Sequence, residues 1–326
     1  MPKNRTEFAS EVTGNARGIG TFWQVKNVPP FSAVQPTFVP TRGAFVLKQS
    51  IAVVGCYHLH NLAVHALFSL DMRILAPTHV PSVAEALDLT PAHLQTRLLS
   101  TVFYWTIQYA MLQLFYSLSG SVRALANPES IKLWPPFFGT PADAYTLRNF
   151  WGYHWHHRRE YGYEFSALTH IRKSWHQALR AWLESISDHV AHKILRLQHK
   201  GPLQRYSKIF ISFALSGVMH VVADMGCGLS PHQSGAMPFF LMQALGIMAE
   251  DGVQAVWRRL TVRFSFGEGV ARFERIVGYA WVALYLVWTS PVWVYPACLP
   301  MRKKDALLAF GAVKPLFLGR GETVRY

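Results

Sequence analysis

The sequence predicts an all-α, polytopic transmembrane helical bundle, on three observations. Charged residues make up only 15% of the chain, below the roughly 25% usual for soluble domains. No Asp, Glu, Lys or Arg occurs in 49–70, 98–122, 225–249 or 276–301, and 209–223 is a shorter clear window. Each long window supplies the ~20 residues a helix needs to cross ~30 Å of hydrocarbon. The basic residues, finally, gather between these windows, at 172–208 and 258–275, as they do in the cytosolic loops of membrane proteins. A large soluble enzyme would need several helices that all lack a charged face.

Taken in order, residues 1–48 are polar, contain prolines and are expected at the membrane surface. The first span covers 49–70. A loop with Asp71, Glu85 and Asp88 leads to a second span at 98–122, and 123–208 is a long polar region. Within it, Leu179, Trp182, Ile186, Val190, Ile194 and Leu197 recur at helical spacing, which predicts an amphipathic helix from His176 to about Leu197. The third span, 207–223, turns at the uncharged Gly226–Gly235. The fourth, 237–257, carries Glu250 and Asp251 near its end, and the fifth, 276–301, is interrupted by Pro291. This order places both basic loops on one side, which the positive-inside rule makes the cytosol. Arg302, Lys303 and Lys304 then fall on the other side, a tension that a re-entrant segment near 306–318 would relieve. The whole of 1–326 reads as one membrane-embedded domain.

Several classes are disfavoured. The net charge of +14 lies in loops beside apolar windows, so anionic headgroups or cofactor phosphates fit it better than nucleic acid. Cys56, Cys227 and Cys298 sit in apolar stretches without metal spacing, so neither a disulfide framework nor a zinc site is indicated. The polar N-terminus lacks a signal peptide's apolar core. The nearest glycine loop, Ser265-Phe266-Gly267-Glu268-Gly269, lacks the Lys-Ser/Thr pair that holds phosphate and magnesium.

The leading chemical candidate is His220, in Phe213-Ala-Leu-Ser-Gly-Val-Met-His220-Val-Val-Ala-Asp224. It lies twelve residues beyond Lys208, hence ~18 Å deeper at 1.5 Å per residue. An ionisable side chain at that depth is costly and marks a functional site by default. Apolar surroundings favour the neutral ring that a general base requires. A histidine bonded to a neighbouring helix backbone explains the position equally well. Ser216 and Gly217 admit close helix packing under either reading.

A second constellation is Leu147-Arg-Asn-Phe-Trp151-Gly152 with Ser174-Trp-His176-Gln177. Together with Ser216-Gly217-Val218-Met219-His220, and with Arg17-Gly-Ile-Gly20 near the N-terminus, it resembles the wax-synthase-like branch of the membrane-bound O-acyltransferase superfamily. That branch carries a Phe-Trp-Gly-basic-x-Trp-His-Gln block in a cytosolic loop, followed by a spanning Ser-Gly-x-x-His. The resemblance covers nearly the whole chain. It implies the superfamily's helical fold and a direct transfer, without an acyl-enzyme, from acyl-CoA to a hydroxyl of a hydrophobic small molecule. The fungal natural-product members imply acetyl-CoA as donor, a terpenoid or meroterpenoid alcohol as acceptor, and residence in the endoplasmic reticulum membrane. His220 would be the general base, and His176 would stabilise the oxyanion or position the thioester. Trp151 and Gln177 would belong to the CoA site. Arg148 and Lys173 would contact CoA phosphates, by charge complementarity alone. No metal is implied.

Two departures stand out. Family members carry spanning helices before the Arg-Gly-Ile-Gly segment, so a chain that begins almost at it is expected to be N-terminally truncated. The signature block is also interrupted by residues 153–172. Excising them joins Phe150-Trp151-Gly152 to Lys173-Ser174-Trp175-His176-Gln177 and restores the block without a gap. The expectation is a translated intron; the alternative is a genuine surface insertion whose histidines and arginines meet headgroups or CoA.

Two rival functions use the same residues. Fifteen histidines, among them His58, His60, His154, His156 and His157, invite a membrane di-iron oxygenase, because imidazole suits iron. However, His58 and His60 fall inside an apolar window and His189-x-x-His192 lacks a partner box. A non-catalytic transport or structural membrane protein accounts for His220 but leaves the Trp-His-Gln loop without a role.

Overall fold

A computed structural model describes residues 28–32, 34–70, 90–138, 144–151, 186–194, 201–261 and 268–301, with single residues 19, 142 and 196. Among these residues the architecture is all-helical. Two long helices begin it: α1, Arg42–Phe68, and α2, Pro91–Ala126. Both start on a threonine cap. Thr41 Oγ1 accepts from the Ala44 N–H, and Thr90 Oγ1 accepts from the His93 N–H. Pro91 occupies the first turn of α2, where its missing N–H costs nothing. The two pack antiparallel, with the Arg42 guanidinium donating to the Leu125 carbonyl at 2.6 Å. Phe45 of α1 is buried against Ala124 and Ile131, under Gly120.

A short helix α3, Leu147–Trp151, is followed in the described chain by one turn of α-helix and a π-turn at Val190–Ile194. A second antiparallel pair comes next, α4, Pro202–Gly226, and α5, Ala236–Thr261. They cross closely where a Cβ on Gly217 would lie 2.9 Å from Met237 Sδ and 3.2 Å from its Cα. Gly228, at φ +94°, ends α4 in the left-handed conformation, with the Leu229 N–H reaching back to the Asp224 carbonyl. Helices α6, Glu268–Thr289, and α7, Pro291–Met301, meet at a bend of 41°. Pro291 opens the second of them, as its lack of an N–H dictates.

Two helices, α1 and α4, are long and apolar enough to cross a membrane, and the bent α6–α7 pair passes the same test together. Each expected span falls largely on a helix or helix pair, although α1 ends at Phe68, short of residue 70. Helices α2 and α5, on which the second and fourth spans fall, do not pass the test of length and hydropathy. The outward faces are apolar: Ile51, Leu62, Val222, Val253, Ile276 and Leu284 are all exposed. The larger core is aromatic, with Trp151, Phe213, Phe239, Phe240, Trp293 and Tyr295 buried together. One end of α4, α5 and α3 holds Arg148, Arg205, Asp251 and Arg258. The other end is pinned where Gly235 lies so close beneath the Val292 carbonyl that a Cβ would overlap it.

Of the amphipathic stripe expected over 176–197, residues 186–194 and 196 are described. Ile186 and Ile194 are exposed there, whereas Ser187 is buried and its hydroxyl meets the Ser212 hydroxyl at 2.7 Å. Asp188, His189 and Lys193 are exposed as well, so Ser187 is the buried polar contact of this segment among the described residues.

Candidate active site around His220

Helix α4 fixes the depth of His220. Six residues separate it from Gly226 and eighteen from Pro202, so it lies ~9 Å from one end and ~27 Å from the other. Its Nδ1 lies 2.8 Å from the Ser216 carbonyl oxygen, one turn back. A carbonyl only accepts, so Nδ1 carries the hydrogen and donates it. In the neutral ring the basic lone pair is therefore on Nε2.

Aromatic rings hold the imidazole. Phe240 of α5 is 4.5 Å away in a tilted stack, and Trp293 of α7 meets it edge-on at 4.8 Å. The Trp293 indole N–H donates to Asp224 Oδ2 at 3.1 Å, and the Ser234 hydroxyl donates to the same oxygen at 2.6 Å. Asp224 is one helical turn beyond His220 and shares its face.

Trp151 lies one ring further out. It is 2% exposed, 5.8 Å from Phe240, and its indole N–H donates to Gln243 Oε1 at 3.2 Å. Gln243 in turn donates to Thr289 Oγ1 at 3.0 Å, which ties α3, α5 and α6 together. Phe240 thus touches both Trp151 and His220, so two of the site residues expected from sequence belong to one aromatic cluster. Arg148, at the other end of α3, forms an ion pair with Asp251, which also pairs with Arg205 at 2.9 Å. Burial pushes the Arg148 guanidinium below its usual value, and the Asp251 carboxylate opposes that. Its Nη1 is buried without a hydrogen-bond partner among the described residues. The other expected site residues, His176, Lys173 and Gln177, lie outside the described residues, as does 153–172. Among the described residues, no three His, Cys, Asp or Glu side chains are grouped to hold a metal ion.

The model of the membrane bound O-acyl transferase family matches residues 134–173 and 163–242, which include the short helix α3 and His220. Three fungal relatives match almost the whole chain. The acetyltransferase fsoF of Humicola fuscoatra is 33% identical over 304 residues, covering 89% of this chain and 67% of the relative. The chain belongs to the membrane bound O-acyl transferase family.

Two further relatives come from Aspergillus fumigatus. The acetyltransferase spyB is 32% identical over 89% of this chain and 47% of its own length. The acetyltransferase pyr8 is 35% identical over 87% of this chain and 62% of its own. The chain thus spans between 47% and 67% of the length of these three relatives. No solved structure matches it.

Sequence reasoning missed most of what surrounds the histidine. Phe240 and Trp293 lie far from it in sequence and carry no local signal. Asp224 was within the quoted segment, and its i+4 spacing from His220 is the sign that could have singled it out. Glu250 and Asp251 were noted only as charges near the end of a span.

Proposed function

We propose that this chain transfers an acyl group, acetyl in the first instance, from acyl-CoA to a hydroxyl of a hydrophobic terpenoid or meroterpenoid. One observation carries the reading: a histidine deep in an apolar helix bundle, whose Nδ1–H is committed to the Ser216 carbonyl, so that Nε2 is the basic atom. The names of the related acetyltransferases support acetyl as the group transferred. Nε2 takes the proton from the acceptor hydroxyl as its oxygen bonds to the thioester carbonyl carbon. The carbon–sulfur bond breaks, and the imidazolium returns its proton to the departing thiolate. General-base assistance of this kind is worth ~10²–10⁴-fold, and alignment of both substrates contributes the entropic part.

His176 would stabilise the oxyanion or position the thioester. Arg148 and Lys173 would meet CoA phosphates, with Trp151 and Gln177 in the same site. For Arg148 this means that phosphate competes with Asp251 for the guanidinium. An apolar acceptor would enter from the bilayer and CoA from the cytosolic face of the endoplasmic reticulum.

The test is an assay of microsomes with radiolabelled acetyl-CoA against a panel of hydroxylated terpenoids, with palmitoyl-CoA alongside. Labelled ester formed from acetyl-CoA alone is the expected result. Transfer from palmitoyl-CoA only would reassign the acyl group, and transfer from neither would remove the activity. Iron analysis of the purified protein tests the di-iron alternative independently.

A further inference from the structure

Asp224 is a carboxylate in the last turn of α4, only 8% exposed. A buried charge is costly unless it is paired and hydrogen-bonded. Hydrogen bonds it has, from Ser234 and Trp293. A cation it lacks: among the described residues no Lys or Arg pairs with it, and the only basic group with which it interacts electrostatically is His220. Its other titratable neighbours, Tyr104 and, through that cluster, Cys227 and Cys298, are acids.

We propose that Asp224 is the counter-charge for His220 during turnover, a positioning residue whose missing cation is the imidazolium formed when Nε2 takes the acceptor's proton. Trp293 makes the arrangement rigid. Its ring stands edge-on to the imidazole at 4.8 Å while its N–H is fixed on Asp224. The same tryptophan therefore sets the histidine's plane and the carboxylate's orientation. Gly235, seated beneath the Val292 carbonyl, anchors the start of α7 against the loop that carries Ser234. The carboxylate carries no proton through the cycle. The proton moves from hydroxyl to Nε2 and on to the CoA thiolate, and the charge pair exists only between those two events. An interaction present only then lowers the barrier without strengthening substrate binding.

This inference rests on His220 being the base, and the experiment separates the two. Both hydrogen bonds fall on one oxygen, Oδ2, so Asp224→Asn keeps the acceptor for both and removes only the charge. Its kcat for acetyl transfer should fall about 10²-fold with KM for acetyl-CoA unchanged, the pattern of a lost transition-state interaction. A kcat near the wild-type value, or a loss confined to KM, overturns the proposal. Asp224→Glu, which keeps the charge on a longer arm, should turn over faster per membrane-inserted molecule than Asp224→Ala. Equal turnover in those two overturns it even if the Asn variant fails to accumulate. An active His220→Ala, or a wild-type protein without transfer, overturns the base reading and this one with it. An active wild type with a dead His220→Ala and an unimpaired Asp224→Asn overturns this one alone.

Discussion

The backbone N–H of Leu147 donates to Glu250 Oε2 at 2.7 Å, a buried bond between residues 103 apart in sequence. Glu250 also accepts from the Trp281 indole at 3.2 Å and from the Gln254 amide at 3.1 Å. Its neighbour Asp251 holds Arg148 and Arg205. Two adjacent carboxylates on α5 therefore seat the helix whose far end places Trp151 against Phe240.

Glu250→Ala leaves the buried Leu147 N–H without its acceptor, at about 1–3 kcal/mol, and also frees the Trp281 indole, which is exposed. A lowered thermal midpoint in detergent is expected, with reduced transfer because Trp151 loses its anchor. Glu250→Gln, which keeps an acceptor oxygen, should recover part of both. Midpoints that coincide with wild type in both variants would show that α3 does not depend on Glu250.

His220→Ala should abolish acyl transfer while expression and membrane insertion stay intact. Retention of more than a few per cent of turnover would exclude the general-base role, which is worth ~10²–10⁴-fold. His176→Ala should be severely impaired as well. His176→Asn should keep some activity if His176 acts by hydrogen-bond donation, and equal loss in both variants would argue against donation.

Three of the five expected spans, those at 49–70, 207–223 and 276–301, fall on helices apolar and long enough to cross, counting the bent pair as one. A charge in hydrocarbon is costly, so its absence there is a direct physical signal. The helix ends were not legible in this way. They depend on caps such as Thr41 and Thr90, which lie outside the uncharged windows. His220 was legible for the same reason in reverse, as an ionisable group where none is cheap. Its cage was not, since Phe240 and Trp293 resemble any aromatic residue of a span until the helices are packed. Trp151, which the resemblance places in the CoA site, is a buried residue bonded to Gln243, a contact with no local signal in the sequence. At 186–194 the chain is helical, an α-turn followed by a π-turn, with Ile186 and Ile194 outward, as a helix lying on the membrane would place them. Where the surroundings are lipid, Ile186 and Ile194 point outward and the hydroxyl of Ser187 seeks Ser212 within the bundle.

The loops 172–208 and 258–275 should face the cytosol and Gly226–Gly235 the lumen, from the asymmetry of basic residues. The structure brings Arg205 and Arg258 to one polar cavity of about 340 Å³, as that arrangement requires. Glycosylation sites inserted into each loop provide the measurement. Modification in Gly226–Gly235 alone is the expected pattern, and modification in either basic loop would invert the topology.

The final prediction concerns residues 153–172, from Tyr153-His-Trp-His-His-Arg-Arg-Glu to Thr169-His-Ile-Arg172. They lie outside the described residues, so the case rests on sequence. The segment shows neither a period-3.6 apolar pattern nor a run long enough to span. Its removal closes the family block. The codons permit a translated intron. A GT donor can straddle Gly152 and Tyr153, and an AG acceptor can occupy the first two positions of the Arg172 codon, so that frame and glycine are both kept. Leu168-Thr169 can encode a CTGAC-type branch sequence shortly upstream. The form lacking 153–172 is therefore expected to be the active one. Sequencing the cDNA across this region, with both forms assayed for acetyl transfer, decides it. A transcript that retains the segment, encoding an enzyme that loses activity when the segment is deleted, would establish a genuine insertion, and its histidines and arginines would then become candidates for contact with CoA or headgroups.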